Sequence, residues 1–111
     1  MHPPETPQLL PGTLFMLILR SLSGCPLHGY AIARRIQDRS ANALQIEDGS
    51  LCPALNRMLV KGWLTAEWGI SENNRKARFY SLTREGRKQL DIEANEFDKL
   101  VRAIRLVMGA A

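Results

Sequence analysis

The stretch from Glu47 to Gly62, EDGSLCPALNRMLVKG, constrains the fold more than any other, because its residues permit burial of one side only. Leu51, Leu55, Met58 and Leu59 recur at i, i+4, i+7 and i+8, the apolar stripe of an amphipathic helix. At about 100° per residue, Ser50, Pro53, Asn56, Arg57 and Val60 turn away from that stripe. This outer set is small or polar with one cation near its middle, whereas an ordinary solvated face would carry more charge. It suits an outside partner. The boundaries are marked as well: Ser50 is placed to cap the N-terminus, Pro53 falls in the first turn where its missing N–H removes no bond, and Gly62 stops the helix after Lys61.

Directly behind this helix, Trp63 to Ile70 (WLTAEWGI) and Ala77 to Leu82 (ARFYSL) are rich in aromatic and branched residues. The polar segment between them carries Asn73, Asn74, Arg75 and Lys76. These are the signals of a β-hairpin with a basic tip. Alternation sets Leu64, Ala66 and Trp68 on one face and Trp63, Thr65 and Glu67 on the other, and it separates Tyr80 and Leu82 from Phe79. Aromatics so placed read as core or cross-strand pairs.

Ahead of the helix, four of the six prolines fall within residues 1–11, which read as an irregular arm anchored by Leu9 and Leu10. Leu14, Leu17, Ile18 and Leu22 then define a first helix ending near Gly24. Phe15, Met16 and Leu19 widen its apolar arc, as a central helix or a dimer contact requires. A second helix begins around Leu27 or His28 after the Cys25–Pro26 break, with Gly29, Ile32, Ala33 and Ile36 on its inner face. Arg34, Arg35, Asp38 and Arg39 take its outer face, as solvated charges or, for Arg34 and Arg35, as phosphate contacts. Tyr30 carries two readings, phosphate hydrogen bonding or core packing. Ser40 to Gln45 is a connection, and the alternation of Leu44 and Ile46 suggests a short strand beside the hairpin.

After the hairpin, Thr83 is a good N-cap with Glu85 in the first turn of a last helix. Leu90, Phe97, Leu100, Ile104 and Val107 repeat at near-heptad spacing, with Ala94 and Val101 beside them. No later element remains to cover this stripe, so it is expected to meet the same stripe of a second copy; packing back onto its own domain is the alternative.

Two helices followed by a hairpin make a winged helix-turn-helix, in which the second helix enters the DNA major groove and the wing reaches adjacent backbone or minor groove. At these residues the chain resembles the PadR family of bacterial transcriptional regulators. The resemblance is carried by LLPGTL (Leu9 to Leu14), PLHGYAIA (Pro26 to Ala33), EDGSLCPALNRM (Glu47 to Met58), KGWL (Lys61 to Leu64) and RKARFYSLTREGR (Arg75 to Arg87), in the family's order. Length and the single helix after the wing look like its short subfamily. The resemblance implies a repressor, and for His28 a structural role at a helix start. Some members bind small aromatic or drug-like inducers, but nothing in this sequence defines a pocket for one. Where members usually carry Tyr, this chain has Cys52, so a backbone contact made by that Tyr does not carry over.

The expected architecture is therefore mainly α with a small β-hairpin: an arm (1–11), a winged helix-turn-helix (12–82) and a C-terminal dimerisation helix (83–111). The expected partners are double-stranded DNA and a second copy of the chain. Net charge is +4, and 11 of the 15 Lys and Arg residues lie between Arg34 and Lys88 against six of the 11 acids. That basic middle favours nucleic acid. Candidate contacts are Tyr30, Ser50, Pro53, Asn56, Arg57, Lys61, Arg75, Lys76 and Arg78. Asn56 suits an adenine edge, Arg57 a guanine edge or a phosphate, and Ser50 with the first-turn N–H groups a phosphate. The rival class is a protein-interaction module, but a docking surface would more often be apolar than basic.

Other chemistry finds little support. Cys25, His28 and Cys52 lack the second closely spaced pair of a zinc motif, and the other histidine, His2, lies in the arm. Phosphate-loop and nucleophile motifs are missing, and Asp91, Glu93, Glu96 and Asp98 wind around the last helix instead of converging, so neither an enzyme nor a cofactor is expected. The expected location is the cytoplasm, with reduced cysteines: no apolar run approaches a membrane span, and the N-terminus lacks a signal-peptide pattern.

Overall fold

Four helices and a three-stranded antiparallel sheet make up residues 12–109, the part of the chain described by the computed structural model. In chain order they are α1 (Thr13–Ser21), β1 (Leu27–His28), α2 (Gly29–Arg39), α3 (Asp48–Val60), β2 (Leu64–Ile70), β3 (Lys76–Leu82) and α4 (Arg84–Met108). The order is that of a winged helix-turn-helix, with α3 as its second helix, β2 and β3 as the wing, and α4 added behind. The arm expected over residues 1–11 lies outside the described residues.

The stripes expected from periodicity meet in one core. Ile18, Leu19 and Leu22 come from α1, Ile32 and Ile36 from α2, Leu51, Ala54, Leu55 and Met58 from α3, and Leu64, Tyr80 and Leu90 from the sheet and α4. Ser21 is the buried polar residue among them, and its hydroxyl is satisfied by donating to the Leu17 carbonyl at 2.8 Å. On α2, His28 acts as the N-cap, its Nδ1 accepting from the Ala31 N–H at 3.2 Å. The structural role implied for His28 is thus what it performs.

Three expectations need correction. First, Leu44 and Ile46 form no strand; both are half-buried loop residues packed against the core, and the Leu44 N–H is held by the Ser40 hydroxyl at 3.0 Å. The third strand is Leu27–His28 instead, paired antiparallel with β3 through Leu27↔Tyr80 and His28↔Phe79. Second, α3 starts earlier than Ser50, at Asp48 with Glu47 as N-cap, and no side chain caps it. Ser50 lies in the first turn, its N–H bonded to the Glu47 carbonyl at 3.0 Å. Pro53 then sits in the second turn, where its missing N–H leaves the Gly49 carbonyl without the usual i+4 donor. Gly49 and Pro53 are both exposed, so the freed carbonyl is open to water. Third, Leu90 belongs to the chain's own core at 8% exposure, so it is not available to the seam expected between copies.

The C-terminus of α3 was well marked. Gly62 is left-handed (φ 79°), the Gly62 N–H bonds the Leu59 carbonyl and the Trp63 N–H bonds the Met58 carbonyl, both at 3.0 Å. This is a Schellman stop, which only a residue without Cβ adopts cheaply. The same turn receives α4. Thr83 caps α4 by accepting from the Gly86 N–H at 2.9 Å, donates its hydroxyl to the Gly62 carbonyl at 2.7 Å, and donates its own N–H to the Trp63 carbonyl at 3.0 Å. From there α4 runs 25 residues. Its second half leaves the domain, and the radius of gyration, 15.5 Å, exceeds the roughly 13 Å of a compact domain of this length.

Gly86 is the tightest point of this joint, because a Cβ there would collide with the Trp63 backbone carbonyl and press on Leu82. Gly86→Ala should therefore lower stability by at least about 2 kcal/mol despite better helix propensity. Gly24→Ala, which meets nothing within 4 Å, is the control and should be nearly neutral. Urea unfolding of both variants measures the difference; equal midpoints would mean that α4 can shift on the turn without cost.

Candidate nucleic-acid interface

α3 keeps its buried stripe inward and leaves Ser50, Cys52, Pro53, Asn56, Arg57, Val60 and Lys61 exposed. Asn56, Arg57, Val60 and Lys61 line one shallow, open depression toward the C-terminal end of the helix, walled mostly by carbon from Val60 and the stems of its neighbours. Ser50 and Pro53 lie toward the other end of the same open face. The wing gathers a second group. Arg75 closes the turn, while Lys76 and Arg78 stand on β3, and all three are exposed.

The cations of the two groups share one property. Among the described residues the ion pairs are Arg34–Asp38, Lys88–Glu85 and Lys99–Glu96, and none involves Arg57, Lys61, Arg75, Lys76 or Arg78. Three of these five lie over aromatic rings instead: Lys61 over Trp63 and Lys76 over Trp68, each at 5.1 Å, and Arg78 over Tyr80 at 5.9 Å. A ring orders a cation without neutralising it. The positive field of the face is therefore kept.

The turn of the wing is closed by backbone bonds. The Ser71 N–H bonds the Arg75 carbonyl at 2.8 Å, the Asn74 N–H bonds the Ser71 carbonyl at 2.9 Å, and Asn74 is left-handed (φ 58°). This is a three-residue hairpin loop with Asn supplying the left-handed position. On the β2 strand, Gly69 leaves a gap that the Phe79 ring fills: a Cβ at Gly69 would meet that ring at 3.0 Å.

Tyr30 is 69% exposed at the start of α2, stacked on His28 with ring centroids 6.4 Å apart. Core packing is thereby set aside, and its hydroxyl is free of the interior. Arg35 is used differently from the phosphate contact considered for it: its guanidinium donates to the Ser21 carbonyl at 3.1 Å, closing the end of α1. Of the two readings given to the hairpin aromatics, core or cross-strand pair, Trp68 takes the second: it shares a face with Leu64 but stands exposed opposite Arg78, and sequence reasoning missed that Ile70 stands exposed beyond it. Seven residues of strand span about 24 Å, and the burial along β2 falls off toward its outer end.

Cys25 and Cys52 are both exposed, free thiols, and among the described residues no three His, Cys, Asp or Glu side chains gather as a metal site. No helix of the described residues is long and apolar enough to cross a membrane. On α4, Phe97, Leu100, Ile104 and Val107 are exposed and Val101 is half-buried, with Leu106 and Met108 adding to the open apolar surface.

Comparison with known proteins places this geometry. Residues 18–92 match the sequence model of the transcriptional regulator PadR-like family. The chain is similar to a PadR family transcriptional regulator from Eggerthella lenta, 27% identical, covering 90% of this chain and 85% of that one with a TM-score of 0.76. It is similar also to a PadR family transcription regulator from Clostridium difficile R20291, at 25% identity, 86% and 97% coverage and a TM-score of 0.73. A transcriptional regulator from Clostridium thermocellum shares the fold at 23% identity, 85% and 91% coverage and a TM-score of 0.78.

Two of the three outer arginines of α2 differ in what they hold. Arg35→Met removes the donor that closes α1 and should cost about 1 kcal/mol of stability. Arg39→Met, on an exposed side chain outside the ion pairs, should leave the unfolding midpoint in place. Thermal denaturation decides, and equal loss in both variants would mean that the Arg35 bond contributes nothing net.

Proposed function

The chain belongs to the PadR-like family of transcriptional regulators, a DNA-binding family and not one of enzymes, and we propose that it acts as a homodimeric repressor on a palindromic operator. The observation that carries this reading is the set of exposed cations, Arg57 and Lys61 on α3 and Arg75, Lys76 and Arg78 on the wing, with no carboxylate pairing them among the described residues. A duplex presents phosphates on both sides of a groove, and cations on both a helix and a flanking hairpin match that spacing in kind.

Roles follow from chemistry and place. Asn56 carries an amide that can pair bidentately with adenine, and Arg57 beside it suits guanine or phosphate. Ser50 offers its hydroxyl to a phosphate, its N–H being used within α3. Pro53 is an exposed apolar contact on the open face, Lys61 and Tyr30 are further candidates for phosphate, and Arg75, Lys76 and Arg78 hold the backbone from the wing. The repressor role rests on the family resemblance; an inducer, if one is used, is a small molecule of unidentified class.

Dimerisation is proposed through α4. Phe97, Leu100, Val101, Ile104 and Val107 recur along a helix that projects beyond its own domain, and an uncovered stripe of this kind is stabilised by a second copy. Such a pair would set two α3 helices on two half-sites. Replacing Phe97 and Ile104 together with Glu should dissociate the dimer in sedimentation, since two charges per chain would enter the seam. An unchanged dimer would move the seam elsewhere, to α1 in the first instance.

Selection of bound sequences from a random DNA pool tests the reading as a whole, and the selected duplex then separates two kinds of contact. Asn56→Ala should relax preference at one position of each half-site by about 1–3 kcal/mol. Arg75→Ala with Lys76→Ala should instead weaken all sequences by a similar factor. For the wild type, log K should fall against log salt with a slope of roughly 0.9 per phosphate contact, and the wing variant should flatten it. Affinity insensitive to salt would favour a protein-docking role, and a wing variant with altered base preference would make the wing the reader.

A further inference from the structure

The hairpin outruns the helical core, and its register sorts what it carries there. On the face that buries Leu64 and Tyr80 near the base, the next pairs outward are Trp68↔Arg78 and Ile70↔Lys76. Trp68 is 65% exposed and Ile70 64%. An ammonium group, Lys76 Nζ, lies 5.1 Å from the centre of the indole. The opposite face of the hairpin is buttressed: Phe79 lies over Gly69 and meets the His28 ring edge-on at 5.3 Å. One side of the wing is thus braced and the other holds two large apolar groups in water, each paired across the strands with a cation.

An apolar partner would not call for those cations, and a purely ionic one would not call for an indole and an isoleucine. Duplex DNA offers both at the rim of the minor groove, where the C–H surfaces of deoxyribose alternate with phosphates. The base faces are closed by stacking, so a ring presented by a sheet meets sugars first. Charge complementarity selects the same occupant: Arg75, Lys76 and Arg78 surround the pair, against Glu67 and Glu72 on the hairpin.

We propose that Trp68, with Ile70 beside it, is the wing's apolar contact to the deoxyribose rim of the minor groove, Lys76 and Arg78 engaging the phosphates on either side. The inference rests on the DNA-binding reading above and adds to it a contact that is not ionic. Trp68 stands outside the core, so its replacement leaves the fold intact, which an unchanged unfolding midpoint checks.

The experiment measures affinity of the full chain for its selected operator across a salt series, for the wild type and for Trp68→Ala, Trp68→Phe and Lys76→Ala. Trp68→Ala should bind about tenfold more weakly at every salt concentration with the slope unchanged, because buried apolar area is lost and no counterion contact is. Trp68→Phe should recover most of the loss, and Lys76→Ala should flatten the slope. Trp68→Ala binding within about twofold of the wild type overturns the proposal, as does a loss that appears only as a flatter slope, which would reduce Trp68 to a support for Lys76. A smaller species of Trp68→Ala in sedimentation without DNA also overturns it, in favour of a contact between copies. Wild-type protein that selects no DNA removes the underlying reading and this inference together, an outcome distinct from the others.

Discussion

The arrangement depends on one hydroxyl. Thr83 accepts from the first turn of α4 and donates to Gly62, the residue that ends α3, while its backbone N–H holds Trp63 at the root of the wing. Three elements that have separate tasks are fixed to one another within a few atoms. Both glycines of the joint are there for backbone reasons: Gly62 for its left-handed turn, Gly86 because the Trp63 carbonyl occupies the place of a Cβ. Around it, Phe15 of α1 meets Trp63 edge-on at 5.7 Å, so that the first helix is tied to the same point. Caps of this kind contribute on the order of 1 kcal/mol each, but here the bonds converge on a single residue and set relative orientation as well as stability.

What could be read from the residues was what period and punctuation encode. The stripe of Leu51, Leu55 and Met58, the stop at Gly62, the cap at Thr83 and the two hairpin strands are local patterns, and each is where it was expected. What escaped was decided by tertiary contact. Leu27–His28 is too short to show a period, and it becomes a strand because β3 lies beside it. Ser50 looked like a cap because Pro53 usually stands in a first turn, yet α3 carries Pro53 in its second turn and its cap is Glu47, three residues earlier. Leu90 belonged by spacing to the stripe of α4, but its position close to Gly86 puts it over the core. For the interface, residue type located the cations correctly on exposed surface; that Arg35 would serve Ser21 and that Trp68 would leave the core depended on the ends of α1 and of the sheet.

The aromatic partners of the cations explain how a basic surface of this size coexists with a small core. A carboxylate beside Lys61, Lys76 or Arg78 would order the side chain and cancel its field. A ring orders it through its face and leaves the charge outward, so less conformational freedom remains to be lost when an anion arrives. Trp63 and Tyr80 do this while also packing inward, which couples the charged surface to the interior through shared side chains.

α4 leaves the joint as one unbroken helix. Its 25 residues extend about 37 Å at 1.5 Å per residue, and at the end near Thr83 Gly86 is seated against the Trp63 carbonyl. A tilt of about 10° at that seat carries the far end through about 6 Å, close to two base-pair steps of a duplex. In the proposed dimer, two copies meeting along this length would have their reading heads spaced by the angle set at Gly62, Trp63 and Thr83 as well as by the seam.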